Sequence, residues 1–200
     1  MSEHYYSAKP NSKHDLEEIS FELRGVRLTL NTDAGVFSKK KLDTGTELLI
    51  KSLRLSPEFH QILDLGCGYG PIGLTLAKLI PEATVYLVDI NERAVDLTTK
   101  NAALNQIFNV VIAAGNGFSS VVNMKFDLIV TNPPIRAGKQ VIYPLMEQAY
   151  QQLNQNGWLV AVILTRQGAK SLEKKLHEVF GNVMEWEKGS GYRVLASRKS

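Results

Sequence analysis

Cysteine is almost missing from this chain: Cys67 is the only one in 200 residues. No internal disulfide can form, and no cysteine cluster exists to hold a metal. A reducing, cytoplasmic setting is the expectation. Long apolar runs are missing too. No stretch approaches the roughly 18 apolar residues of a membrane span, and the start, Met1-Ser2-Glu3-His4-Tyr5-Tyr6, lacks the basic region and apolar core of an export signal. No membrane contact is expected. A charge excess is small: 23 Lys and Arg against 20 Asp and Glu leave +3, too little to announce a nucleic-acid binder, although a local basic face still serves phosphates. Histidine is sparse, and His4, His14, His60 and His177 have no metal-site spacing. There is no internal repeat and no low-complexity segment. What remains, 44% hydrophobic and 22% charged, is the composition of one globular domain with a sizeable core.

Within that ordinary composition one stretch stands apart, Ile62-Leu-Asp-Leu-Gly-Cys-Gly-Tyr-Gly-Pro-Ile-Gly73. An apolar run of strand length breaks at Gly66, Gly68 and Gly70, and the apolar spacing of a buried helix follows. Such glycines permit positive φ and let backbone approach a ligand, as a nucleotide-binding turn between strand and helix requires. A second apolar run, 85–88, ends in Asp89, about 20 residues past the loop, where doubly wound folds place an acid on ribose hydroxyls. The alternative is that Asp89 caps the next helix. Asp64 precedes the loop, and the third glycine of the dinucleotide pattern is not at its usual spacing. A carboxylate there repels a pyrophosphate but suits a cationic ligand. The pattern resembles motif I of class I S-adenosylmethionine-dependent methyltransferases. The resemblance implies S-adenosyl-L-methionine as cofactor, held by Asp64, Gly66, Cys67, Gly68, Gly70, Asp89 and Ile90, and by Asn116 at the adenine amino group. A plain turn is the other reading of Asn116.

From residue 61 onward strand and helix patterns alternate. Strands are expected at 61–65, 84–89, 109–114, 126–131 and 157–165, and helices at 71–80, 92–105, 139–154 and 168–180. Such alternation gives a mostly parallel sheet with helices on both faces. Segments 183–188 and 192–197 flank Gly189-Ser190-Gly191 and read as an antiparallel hairpin at the sheet edge. Upstream, residues 1–18 read as a polar arm. Residues 19–60 read as an appendage: a hairpin turning at Arg24-Gly25, then a short helix capped by Thr44 or Thr46. The main domain is expected over 61–200. The fold class is therefore α/β, Rossmann-like and doubly wound. A seven-stranded sheet closed by such a hairpin is also what the resemblance implies.

The strand 126–131 runs into Asn132-Pro133-Pro134-Ile135, then Arg136-Ala137-Gly138-Lys139. Two prolines fix the backbone beyond the carboxyl end of a strand, where open α/β sheets bind ligands. The Asn132 side-chain oxygen and the Pro133 carbonyl can accept both hydrogens of an exocyclic amine and tilt its lone pair toward a methyl donor. Asn-Pro-Pro followed by an apolar residue resembles motif IV of amino-group methyltransferases acting on adenine N6, guanine N2 or glutamine N5, though Ile135 stands where the adenine and glutamine branches carry an aromatic residue. With Gly35-Val36-Phe37-Ser38 and Leu42-Asp43-Thr44-Gly45-Thr46 upstream, residues 20–197 resemble the ribosomal RNA small-subunit guanine-N2 methyltransferase C family. The resemblance implies catalytic roles for Asn132, Pro133, Pro134 and Ile135, and ribosomal RNA or a ribosomal particle as partner. It also puts Phe37, Asp43 and Thr46 near cofactor or base. A single-domain relative without the family's amino-terminal second domain is expected.

Smaller features have plainer readings. Cys67 is read as chemically inert, and Trp158 and Trp186 as packing residues. Lys39-Lys40-Lys41, Arg136 and Lys139 flank the active-site segments and are candidates for phosphate contact. Lys170, Lys174 and Lys175 read as the wet face of a helix. The expected activity is methylation of an exocyclic amine of RNA, foremost guanine N2. Adenine N6, a protein glutamine, or a non-catalytic assembly factor that binds cofactor and RNA are the rivals.

Overall fold

The computed structural model describes residues 14–34, 36 and 41–200. Most of the expected arm, Phe37, Lys39 and Lys40 lie outside the described residues, as does the side chain of Arg136. The hairpin is formed by β1 (Glu17–Leu23) and β2 (Val26–Thr32), with Leu23 opposite Val26 across the Arg24-Gly25 turn. Strand β1 thus starts inside the stretch read as an arm. It follows the alternation that buries Ile19 and Leu23 on one face.

Helix α1 (Thr44–Ser52) is capped by neither expected threonine. Asp43 is its cap, and its side chain accepts the Thr46 N–H at 2.9 Å, the bond an acidic N-cap is suited to make. Leu49 and Ile50 of α1 are fully buried in the core shared with the main sheet.

The main domain follows as β3 (Gln61–Leu65), α2 (Pro71–Leu79), β4 (Thr84–Asp89), α3 (Glu92–Leu104), β5 (Val110–Ala114), β6 (Phe126–Thr131), α4 (Lys139–Gln152), β7 (Leu153–Leu164), α5 (Ala169–Phe180), β8 (Met184–Gly189) and β9 (Tyr192–Arg198). Seven strands form one sheet in the order β5-β4-β3-β6-β7-β9-β8. All pairs from β5 to β7 are parallel, and β9 runs antiparallel to β7 and β8. The α4–β7 boundary differs from expectation. The polar run after α4 belongs to the strand because its groups are paired: Asn154 donates to Asp127 at 2.7 Å, and the Asn156 N–H to the Lys199 carbonyl at 2.8 Å.

Side-chain alternation splits the core. Ile62, Leu128, Val130, Val160 and Val162 join α1, α2, α3 and the hairpin on one face, while Leu63, Ile129, Leu159 and Ala161 join α4 and α5 on the other. Trp158 and Trp186 pack together with ring centroids 5.1 Å apart, as packing residues should. Chain order reverses between β3 and β6, and the two carboxyl ends are tied there by the Thr131 hydroxyl donating to the Leu65 carbonyl at 2.8 Å. A crevice at such a reversal is where open α/β sheets place ligands. Among the described residues no helix is long and apolar enough to cross a membrane.

Candidate active site

The glycine loop leaves β3 at this reversal. Gly66, Gly68 and Gly70 have φ of 76°, 58° and 93°, a region side chains rarely adopt. A Cβ added at Gly66 or Gly68 would meet no atom within 4 Å, so the absent side chains leave open space beside the loop. Backbone bonds hold the turn: the Gly66 and Cys67 N–H groups donate to the Val88 carbonyl at 2.8 and 3.1 Å.

Asp89, at the end of β4, accepts the Gly68 N–H on Oδ2 and the Asn91 N–H on Oδ1, each at 2.8 Å. A carboxylate has about four acceptor sites, so room remains for a further donor. Burial pushes its pKa up, opposed by the N–H groups of Asn91, Gly68 and Ile90. It does not cap the next helix, because Asn91 does.

Asp64 departs from expectation. It is fully buried and lines neither hollow of the cleft described below. Period-two alternation sends its side chain to the same face as Ile62, under the first turn of α2, where Oδ2 accepts the Gly73 N–H at 2.8 Å. Its Oδ1 has no partner among the described residues. Burial raises its pKa to about 7; the Gly73 N–H opposes the rise and the charge of Asp89 adds to it. Cys67 lies between, its thiol 3.9 Å from the Thr98 hydroxyl, and burial with the two carboxylates pushes its pKa well up. That matches the inert reading.

Two adjoining hollows share Gly66, Asp89 and Asn132 and make one cleft over the carboxyl ends of β3, β4 and β6. The larger holds about 320 Å³ and is walled by Ile90, Asn116, Pro134, Ala137, Val141 and Leu145. The smaller lies among Val36, Thr46, Cys67, Tyr69 and Ile72. A volume of a few hundred Å³ suits a nucleoside-sized ligand. Two desolvated carboxyl groups, one with an unpartnered oxygen, favour a positive charge nearby and disfavour a phosphate.

Asn132 directly follows β6, at the junction of the two hollows. Its Nδ2 donates to Asp43 Oδ2 at 3.1 Å and to the Thr46 hydroxyl at 3.0 Å. Its Oδ1 has no partner among the described residues. Asp43 Oδ1 in turn accepts the Tyr192 hydroxyl at 3.4 Å, and burial with the Asp43 charge raises the Tyr192 pKa. Gly45 makes this approach possible, since a Cβ there would stand 2.6 Å from the Tyr192 ring.

Not every expected residue reaches the cleft. Pro133 is buried at the strand end, whereas Pro134 lines the larger hollow. Ile135 is turned away: it opens a 3-10 turn, Ile135–Ala137, and packs against the core shared with α4. Lys139 is exposed and outside the cleft lining, 6.0 Å from the Tyr143 ring. Sequence reasoning missed Tyr69, Val141 and Leu145, as well as Tyr192. Tyr69 lay inside the glycine motif, and Val141 and Leu145 at the helical spacing that continues from Ala137; Tyr192 gave no signal. Among the described residues no group of three His, Cys, Asp or Glu can hold a metal.

Comparison with known proteins gives a consistent picture. Residues 27–196 match the model of the methyltransferase small domain family. The chain is 46% identical over 200 residues to the uncharacterized protein YbxB of Bacillus subtilis, covering all of both chains. It is 40% identical over 136 residues to the ribosomal RNA small subunit methyltransferase C of Haemophilus influenzae (strain PittEE), covering 66% of this chain and 40% of that one. Among solved structures, a T. thermophilus 16S rRNA N2 methyltransferase in complex with AdoMet and guanosine superposes with a TM-score of 0.83 at 28% identity, covering 92% of this chain and 51% of that one. The chain thus spans about half the length, or less, of the methyltransferase C proteins it matches.

Proposed function

This chain belongs to the methyltransferase small domain family, and on that premise we propose that it moves the methyl group of S-adenosylmethionine to guanine N2 of ribosomal RNA. S-adenosylmethionine is the cofactor this family uses. When bound, it supplies an electrophilic methyl group on a positively charged sulfur.

The cleft's chemistry fits that group. Asp89 offers its remaining acceptor capacity to the ribose hydroxyls. The larger hollow, between Ile90 and Leu145, takes the adenine, with Asn116 at its rim. The open space beside Gly66 and Gly68 takes the amino-acid end. Asp64 acts on that end through its field from beneath the loop and not by lining the cleft.

The single observation that carries the reading is the Asn132 amide. Its nitrogen is tied to Asp43 and Thr46, which leaves its oxygen as an acceptor between the two hollows. An acceptor there holds an amine by an N–H and aims the nitrogen lone pair across the cleft. An amide oxygen is too weak a base to take the proton, so positioning is its contribution and the proton leaves to water. Cofactor binding alone would not need this arrangement, which argues against a non-catalytic binder. Guanine is favoured by the family likeness to methyltransferase C proteins.

The test is direct. Small-subunit RNA, naked and as assembled particle, is incubated with protein and methyl-labelled cofactor, then digested to nucleosides. The label is expected in N2-methylguanosine. Label in N6-methyladenosine, or only in protein glutamine, would reject the guanine reading.

A further inference from the structure

We propose that Asp43 is a positioning residue that fixes which way the Asn132 amide faces. This rests on the function proposed above for its consequence in the reaction, but not for the orientation itself. The nitrogen and oxygen ends of an asparagine amide have nearly the same shape, so only their partners decide between the two orientations. Of the two partners here, the Thr46 hydroxyl is indifferent, since it can accept from nitrogen or donate to oxygen. Asp43 is not. A carboxylate only accepts, and with Oδ2 at 3.1 Å from the amide a flipped Asn132 would bring two acceptors together. The lock therefore holds nitrogen toward α1 and oxygen toward the cleft.

Asp43 is itself held from both sides. The same Oδ2 caps α1 through the Thr46 N–H at 2.9 Å, and Oδ1 takes the Tyr192 hydroxyl from the start of β9. Three elements distant in sequence thus converge on one amide. Asp43 is not among the residues lining the cleft, so its removal leaves the cofactor's walls in place. Without it, the Thr46 hydroxyl can donate to the amide oxygen and stabilise the unproductive orientation, in which the amide presents N–H groups to an amine that itself needs an acceptor.

Two variants separate this role from a structural one. Serine caps helices as well as aspartate but is too short to reach Asn132 and Tyr192 together, so Asp43→Ser keeps the cap and loses the lock. Asp43→Asn keeps both, because its oxygen can replace Oδ2 and its nitrogen can face the Tyr192 oxygen. With asparagine labelled in 15N, the Asn132 side-chain signals, assigned by their loss in Asn132→Ala, are expected to shift and exchange faster with solvent in Asp43→Ser and to stay protected in Asp43→Asn. In methyl transfer, loss of a hydrogen bond to a charged group predicts about a tenfold or greater fall in kcat for Asp43→Ser. Near-normal kcat is expected for Asp43→Asn, with cofactor affinity unchanged in both. In an Asn132→Ala background Asp43→Ser is expected to cost nothing further. Unchanged Asn132 signals in Asp43→Ser, additive losses in the double variant, or an Asp43→Asn variant as impaired as the serine would each overturn the proposal. If the wild type methylates no guanine, the functional reading fails, and the amide signals, which need no substrate, still decide this one.

Discussion

Among single residues, Asp64 carries the clearest pH signature. Its carboxyl rises from 3.8 to about 7 in the folded protein, so over that interval the folded state binds a proton the unfolded state has released. The contribution of Asp64 to stability then falls as pH rises from about 4 to about 7 and levels off above. Asp33 has the opposite sign: burial would raise its pKa, but the Asp15 N–H, His14 and the Ala34 N–H outweigh it and hold it low. Its contribution is present above the ordinary carboxylate value and is lost only as pH falls below it. Asp64→Asn can keep the Gly73 bond through its amide oxygen. It is expected to flatten the decline between pH 4 and 7 and to melt above wild type at pH 8 without cofactor, while binding S-adenosylmethionine more weakly. Thermal melts across pH check this, and a variant with the wild-type slope would contradict it. At this scale the sequence was informative where chemistry and spacing coincide. Asp64, Asp89 and Asn132 were legible from their motifs, but whether a side chain faced the cleft was not: Asp64 and Ile135 both turn from it. Tyr192 was invisible because it meets Asp43 across 149 positions, and nothing local marks so distant a contact.

At the level of elements, the hairpin is joined to α3 by a device with no local signature. Asn101 and Asn105 stand four apart on one face of the helix. Each pairs its amide with backbone as a neighbouring strand would: Asn101 with the N–H and C=O of Asn31 at 2.7 and 2.9 Å, and Asn105 with those of Thr29 at 3.0 and 2.7 Å. The outer edge of β2 is thereby satisfied without a third strand. Asn101 also donates to the Tyr69 carbonyl at 2.9 Å, which links the hairpin to the glycine loop. Asn105 likewise serves three backbone groups, since it also donates to the Asn101 carbonyl at 2.8 Å, but it is only half-buried, so water can replace it. Asn101 is fully buried, and its truncation strands its partners at about 1 to 3 kcal/mol for each group. Asn101→Ala is therefore expected to destabilise the protein more than Asn105→Ala. Urea unfolding measures this, and equal midpoints would refute it. Periodicity foretold α3 and both hairpin strands, since those depend on nearby residues. The cap of α1 and the start of β7 were misplaced because Asp43, Asn154 and Asn156 are committed to partners that local pattern does not reveal.

For the molecule as a whole, the alternation of strands and helices was enough to anticipate a doubly wound sheet and its closing hairpin. Right-handed parallel connections leave few other arrangements. The place of α1 was not legible, because burial of Leu49 and Ile50 against the main sheet is decided by tertiary packing and not by the short helix's own pattern. That placement matters, since it brings Asp43 and Thr46 to the end of β6 and completes the junction between the two hollows. The central claim is that cofactor and amine are held by different groups meeting at this junction. Asn132→Ala tests it most directly, with cofactor affinity measured by calorimetry and methyl transfer measured in single turnovers on the same preparation. The account predicts nearly unchanged S-adenosylmethionine affinity, and methyl transfer lower by about a hundredfold, the scale for loss of one preorganised polar contact at a reacting centre. Full activity in that variant, or loss of cofactor binding with it, would contradict the account.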